Sequence, residues 1–360
     1  MTHSDTQYYI NPNLFFLFEK GALCLWNYEA HEQFQIEKDL MTLLIDIVNK
    51  VEIKEDTTFL KDLLENDVVR SVPYDSTPWG WDRLSHMFHR GTQNVPELQE
   101  TRSKKEMIHD FIGFSEKYSE RKKVISETKV TSSKVINLSP VDRSQETLPF
   151  LETLQKRLTT RHFSGEEVSE KDFSTILYYS LGEIHDTWEG VDPSVNLLGV
   201  RKTSPSAGGI HSIKAYVTVF NVEGIESGLY LYDSKAHVLE FIHDNVKFET
   251  LITLMADQFY MEGLAFGVFL VSDLDKVWAK YLHSRAYREI FLDAGHLSQT
   301  FQLCATSLSL NTWLSGYFRD DDLMDYLKIS GAKKAPIIFV GVGKGKRTPL
   351  HPDMLDALKD

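Results

Sequence analysis

The pattern of apolar and polar positions changes character twice along the chain. Near the start, "NLFFLFEKGALCLWNYEAHEQFQI" carries short apolar runs broken at Glu19-Lys20-Gly21, which predicts two or three strands joined by tight turns. "EKDLMTLLIDIVNKV" then sets Leu40, Leu43, Leu44, Ile47 and Val48 at helical spacing, and "TTFLKDLLENDVV" predicts a second helix. Strands followed by short helices point to a winged-helix-like module over residues 1–95. Residues 96–147 are polar and lysine-rich ("TRSKKE", "SERKKVISETKVTSSK"), the pattern of an exposed connector holding one helix.

From residue 148 the periodicity strengthens. "LPFLETLQKRLTTRHFS" reads as a helix ending in a basic turn, and "SEKDFSTILYYSLGE" as a helix capped by Ser169. "AYVTVF" and "GLYLYDSKAHVLEFI" alternate as strands, with Asp233 to His237 as a hairpin turn. Helices are predicted over 245–257, 284–309 and 320–328, and the stretch 292–309 is apolar on most faces, as in a buried helix. "APIIFVGVG" is a buried strand running into a glycine loop. Residues 148–360 therefore read as an α+β domain in which an antiparallel sheet is flanked by helices, one of them long and buried.

Composition narrows the function classes. Apolar residues make up 42% and charged residues 25%, the profile of a soluble protein with a real core. A formal net charge of −13 argues against nucleic acid and anionic membrane as general partners. The 2 cysteines, Cys24 and Cys304, have no metal-ligand spacing and read as free thiols of a reducing, cytoplasmic compartment. "MTHSDTQYYINPN" lacks the basic start and apolar run of a secretion signal, and no apolar run is long enough to span a membrane.

Four stretches carry candidate chemistry, each with a plainer alternative. Arg157 and Arg161 in "KRLTTRHFS" are four residues apart; on a helix they share a face and suit a phosphate, or else form a solvated helix end. "SPSAGGIHSIKAY" places two serines and Gly208-Gly209 before a strand, either a tight turn or backbone left bare for a planar ligand. "VGVGKGKRTP" alternates glycines with Lys344, Lys346 and Arg347, a phosphate loop or a solubilising tail. It is neither a P-loop nor a dinucleotide fingerprint. In "AKYLHSRAYREIFLDAGHLSQ", Lys280 beside Tyr281 is an acid/base pair if buried and ordinary surface otherwise; His296 reads as a core histidine. His86 and His89 lack a third ligand, so no metal is expected.

The order of these stretches resembles the nitroreductase superfamily. Within it, "RKTSPSAGGIHSIKAY", "NVEGIESGLYLYD", "KYLHSRAYREIFLDAGHLSQ" and the terminal "VGVG" resemble the SagB/ThcOx-type dehydrogenases, over residues 150–345. Ser212 and Lys214 stand where the family form has Pro and Glu.

The resemblance implies a homodimer holding FMN at the subunit interface. Arg157, Thr159 and Arg161 would hold the flavin phosphate, ribityl chain or pyrimidine edge, and Lys344 and Lys346 would complete the phosphate site. Pro205, Ser206, Ala207 and Gly208 would run along the isoalloxazine, and Leu314, Ser315 and Gly316 would offer backbone N–H groups to it. Lys280 and Tyr281 match a catalytic pair, with Lys280 as base. The implied reaction oxidises thiazoline or oxazoline rings in a ribosomally made precursor peptide, alongside cyclodehydratase subunits, with O2 reoxidising the flavin. The implied N-terminal module is a peptide clamp that pairs a leader with a strand edge, or else a dimerisation or packing appendage. Two other readings stay open: an NAD(P)H-dependent nitro or quinone reductase, and a non-catalytic scaffold subunit.

Overall fold

The computed structural model describes residues 6–53, 58–75, 79–93, 103–122, 132, 134–184, 201–329 and 332–359. The chain divides into two compact units, residues 1–103 with 283–285, and residues 104–282 with 286–360.

The first unit contains β1 (Tyr9–Ile10), β2 (Leu14–Glu19), β3 (Ala22–Asn27), β4 (Glu32–Gln35), α1 (Lys38–Val48), α2 (Thr58–Glu65), β5 (Val69–Arg70) and α3 (Arg83–Gly91). Strands β2, β3 and β4 form an antiparallel sheet where the apolar runs predicted strands, and Gly21 turns the first hairpin at φ +82°. The core gathers Leu25 from β3, Leu44 and Ile47 from α1, and Leu60 and Leu63 from α2. Val48, at the end of the predicted stripe, is exposed. Asp82 caps α3 by accepting from Ser85 N at 3.0 Å. His86 on α3 meets the Tyr28 hydroxyl at 2.8 Å and packs edge-on against Trp79. Among the described residues no group of three or more His, Cys, Asp or Glu is placed to hold a metal. The start of the "PWGWDRL" stretch and the residues after Gln93 lie outside the described residues.

The second unit contains α4 (Lys104–Lys122), β6 (Val135–Asn137), α5 (Phe150–Lys156), α6 (Glu170–Leu181), β7 (Ile213–Val219), β8 (Gly228–Asp233) and β9 (Val238–His243). It continues with α7 (Phe248–Leu254), β10 (Phe266–Asp273), α8 (Leu274–Lys280), α9 (Tyr287–Ser307), β11 (Asn311–Ser315), α10 (Asp320–Tyr326), β12 (Lys334–Gly343) and α11 (Pro352–Ala357). The strands make one 7-stranded sheet in the order β11-β12-β10-β7-β8-β9-β6, and every pairing is antiparallel. The segment expected as a connector thus supplies a helix and an edge strand.

Period-two alternation builds a core on each face of this sheet. Val217, Val219, Val268 and Leu270 face α6 and α9, against Phe173, Ile176, Ala294 and Phe301. Tyr216, Phe269, Val271 and Phe339 face the other way, against Leu251 and Leu254 of α7 and Leu323 of α10. Ser169 caps α6 through Asp172 N at 3.1 Å, as its sequence predicts. Asp233 ends β8 by accepting from Lys235 N and Ala236 N at 2.8 and 2.9 Å, which fixes the predicted hairpin. No helix among the described residues is long and apolar enough to cross a membrane.

Two local expectations change. The helix over "LPFLETLQKRLTTRHFS" stops at Lys156: Arg157 is its C-cap with φ −61° and ψ 117°. Thr159 bridges Thr312 in parallel, and Thr160 N donates to Thr312 O at 2.8 Å. Two β-branched threonines in reach of the edge of β11 find a better partner in that strand than in another helical turn. Arg157 and Arg161 therefore share no helical face; they share, with Thr159, one side of an extended segment. The second change concerns α9, the long helix. It is buried along Ile290, Asp293, Ala294, Leu297 and Phe301, whereas Tyr287, Phe291, Leu292 and His296 lie on an open face. His296 is thus an exposed residue, not a core histidine.

Candidate active site

The loop Ser204–Gly209 is fastened to α9 from two points. Ser204 Oγ lies 2.7 Å from Thr300 Oγ1, and the Asp293 carboxylate accepts from Ser206 Oγ at 2.5 Å and from Ala207 N at 3.2 Å. Ser206 Oγ in turn accepts from His211 N at 3.0 Å. These bonds force the sharp reversal in which Gly208 takes φ +58° and Gly209 φ +64°.

Lys280 and Tyr281 close on this loop from the end of α8. The Lys280 ammonium donates to Gly208 O at 2.5 Å and lies 4.8 Å from the centre of the Tyr118 ring. A Cβ on Gly208 would stand 2.6 Å from the Tyr281 hydroxyl and 2.7 Å from Lys280 Nζ. The bareness of the loop thus has a reason inside the chain: the Lys-Tyr pair occupies the space a side chain would fill. Burial raises the Tyr281 phenol above its ordinary pKa, and the negative charges of Glu289 and Asp293 add to this. Burial likewise raises the Asp293 carboxyl, opposed by its bonds from Ser206 and Ala207.

A second group of predicted residues gathers at the β11 edge of the sheet. Arg157 reaches the Thr159 hydroxyl, 3.4 Å away. Arg161 donates to Pro349 O at 2.6 Å and lies 5.4 Å from the centre of the Tyr260 ring. The glycine loop after β12 folds onto the same segment: Ser164 N donates to Lys344 O at 2.9 Å, and Lys346 N to His162 Nδ1 at 3.0 Å. Gly345 is needed there, since a Cβ would stand 2.4 Å from His162 O. Asn311 Nδ2 donates to Lys346 O at 3.2 Å, which ties the loop to the start of β11. Leu314, Ser315 and Gly316 lie at the other end of that strand, where Ser315 Oγ donates to Gln258 Oε1 at 2.9 Å. Among the described residues, Arg157, Arg161, Lys344 and Lys346 have no carboxylate within ion-pair distance, an unusual concentration of positive charge for so acidic a chain.

The predicted residues therefore fall into two groups. Pro205–Gly208, Lys280 and Tyr281 meet α9 around Asp293, while β11, beside which the cations gather, meets it at Gln302, whose Oε1 is 3.5 Å from Thr312 Oγ1. At ~1.5 Å per residue the two levels are about 13 Å apart along the helix.

Comparison with known proteins identifies the family. The model of the nitroreductase family matches residues 154–344, just over half of the chain. The chain belongs to the nitroreductase family. Nitroreductases are flavin oxidoreductases, and the antiparallel sheet with flanking helices is their fold, as expected from the sequence. Two proteins named "putative nitroreductase" are similar to it. One, from Methanocaldococcus jannaschii, is 27% identical over 199 residues, 55% of this chain and 92% of its own. The other, from Anabaena variabilis, has a crystal structure with a TM-score of 0.53 at 24% identity, covering 76% of this chain and 49% of its own. The E. coli microcin synthetase McbBCD complex with truncated pro-MccB17 bound includes a chain with a TM-score of 0.44 at 16% identity, covering 69% of this chain and 99% of that one.

Two residues of this nitroreductase site carry roles that sequence reasoning missed. Asp293 belongs to the "DAGH" motif, and a carboxylate among the uncharged residues of the buried face was the signal available. Tyr118 lies in the segment read as a connector, where nothing in the sequence marks it.

Proposed function

We propose that this nitroreductase is an FMN-dependent dehydrogenase that oxidises thiazoline or oxazoline rings of a precursor peptide to azoles. The observation that carries the reading is the Lys280–Tyr281 pair held against the Gly208 backbone in a loop clamped by Asp293. The choice of an azoline substrate rests on the motif resemblance over residues 201–233 and 280–299.

FMN fits the residues present. Four cations without carboxylate partners among the described residues suit a phosphate dianion, and the Gly345 turn brings the Lys344–Lys346 backbone close enough to contribute. Arg157, Thr159, Arg161, Lys344 and Lys346 would hold the phosphate end, with Leu314–Gly316 and Pro205–Gly208 at the ring. When bound, FMN accepts a hydride. The protein then has to orient the azoline and take the proton from the ring carbon that derives from Cα.

Lys280 is assigned that proton. Its bond to Gly208 O and the ring of Tyr118 are contacts of an ammonium, so it must first release a proton before it serves as base. Tyr281, with its phenol raised by burial, stays protonated and donates a hydrogen bond to the substrate.

The open face of α9, with Tyr287, Phe291 and Leu292 exposed, and the exposed Phe150 and Leu151 of α5 support a homodimer. In the N-terminal unit, β2 is an edge strand with Phe16 and Phe18 exposed, which suits strand addition by a leader peptide. Cyclodehydratase subunits would supply the azoline by removing water from Cys, Ser or Thr.

The purified protein should carry FMN and turn over an azoline peptide under air. Lys280→Ala should keep FMN and lose turnover. Arg157→Ala and Lys344→Ala should each weaken FMN binding by about tenfold, the lower end for a charge-assisted hydrogen bond. Rapid bleaching of the flavin by NADPH without peptide, or unchanged turnover in Lys280→Ala, would overturn the reading.

A further inference from the structure

A cavity of ≈ 180 Å³ is lined by Ile210 and His211, which follow the Ser204–Gly209 loop, and by the end of α6, β7, β8, α8 and α9. At ~30 Å³ per water it has the volume of about six waters, too little for a flavin and enough for a small organic group. Its walls differ in character. Leu181, Ile213 and Leu297 form an apolar side, while Lys202, Lys214 and Lys276 bring three ammonium groups to it.

Lys202 is the informative residue. Its Nζ donates to Leu181 O at 2.7 Å, and among the described residues no carboxylate lies within ion-pair distance of it, although the charge of Glu183 acts on it from further away. Burial, the largest influence on it, pushes the amine down to about 8. An ammonium has three donors, so two remain for a ligand after the bond to Leu181. Lys276 is partly compensated by Asp273 at 3.3 Å. The one carboxylate among the lining residues is Glu183, which accepts from Ser234 Oγ at 3.0 Å. Tyr118 lines the same cavity and also covers Lys280, so an occupant would sit next to the Lys-Tyr pair.

We propose that this cavity binds a carboxylate carried on a short apolar group, with Lys202 as its anchor. A carboxylate uses both free N–H groups of Lys202 at once, and the short chain behind it covers Leu181 and Leu297. An inorganic anion would leave that wall unused, and a neutral group would leave the buried amine with only the longer-range charges of Glu183 and Asp233. The carboxylate has two sources: a free short-chain acid, or an acidic side chain of the peptide being oxidised. The second source rests on the azoline reading above.

Butyrate and its neutral isostere butyramide are titrated into the full-length protein, with binding read by calorimetry. Butyrate should bind at least about tenfold more tightly than butyramide, and Lys202→Met should remove that preference while Lys202→Arg retains part of it. Melting temperatures of both variants check that they fold; if Lys202→Met does not, Lys202→Gln replaces it. Equal binding of the two probes, binding of neither, or a preference that survives in Lys202→Met overturns the proposal.

A peptide arm separates the sources. For azoline peptides that carry Glu or Gln beside the ring, the wild-type preference for Glu in kcat/KM should fall towards one in Lys202→Met if the peptide supplies the carboxylate. A ratio already near one in the wild type assigns the cavity to a free acid. The butyrate arm needs neither flavin nor turnover, so its failure leaves the redox reading standing, and a lack of azoline oxidation leaves the cavity reading standing.

Discussion

Gly208→Ala tests the contact on which the site is built. Two costs add at this position. The first is the left-handed backbone, φ +58°, which an alanine adopts at about 1–2 kcal/mol. The second is space: the new Cβ would lie 2.6 Å from the Tyr281 hydroxyl and 2.7 and 2.8 Å from Lys280 Nζ and Cε. These are ends of side chains, so they move rather than collide, but the movement forfeits the Lys280–Gly208 O bond. A hydrogen bond from a charged donor is worth about 1.5–3 kcal/mol. Gly224→Ala is the control, with φ +68° and nothing within 4 Å of its Cβ, so it carries the backbone cost alone. Denaturant titration should therefore find Gly208→Ala more destabilising than Gly224→Ala by about 1.5–3 kcal/mol. In a Lys280→Ala background most of that excess should vanish, because the partner is already gone. Equal costs for the two glycines, or an excess that persists without Lys280, would refute the claim that the loop is bare to admit the lysine.

Asp293 gives a pH test. Its carboxyl is raised above the ordinary 3.8, so the folded state holds this proton more tightly than the unfolded chain. The stability it contributes is full below pH 3.8 and is lost as the pH rises through the folded value. Asp293→Asn removes this titration, so the variant should gain on the wild type in unfolding free energy as the pH rises above the ordinary carboxyl value; parallel pH profiles would show that the buried carboxyl does not titrate as its surroundings dictate. Asp293→Ala leaves Ser206 Oγ and Ala207 N without their acceptor and should cost about 1–3 kcal/mol in thermal or chemical unfolding. Tyr118→Leu removes the ring beside the Lys280 ammonium, a contact worth about 0.5–1 kcal/mol. If Lys280 is the base, the acid limb of kcat/KM should move down by about half a pH unit, and Tyr118→Phe should leave it in place. An unmoved limb in Tyr118→Leu would separate Tyr118 from the chemistry.

The sequence by itself marked several elements of the second unit, α6, β7, β8 and β12 among them, and the residues of the candidate site other than Asp293 and Tyr118. Strands alternate because successive side chains point to opposite faces, so Val217, Val219 and Tyr216 sort between two cores as their order dictates. Ser169 and Asp233 bond to backbone only two or three residues away, so their caps and turns are readable locally. Motif order was enough to indicate the family, because a glycine loop, a Lys-Tyr pair and a basic tail rarely recur in that order by chance.

Tertiary structure decided what those residues touch. Arg157 and Arg161 left helical register because the edge of β11, more than 150 residues on, gave Thr160 a backbone partner. Asp293 became a clamp through bonds to residues 86 and 87 positions earlier. Tyr118 came to Lys280 by the packing of α4 near α8, and Lys202 to its cavity through a bond to the end of α6, 21 residues earlier. The open face of α9 was hidden for a related reason. An apolar helix looks the same in sequence whether its outer side meets its own chain or is left free. Spacing along a chain specifies the short-range bonds, and only the closed fold determines which distant groups share a low-dielectric space.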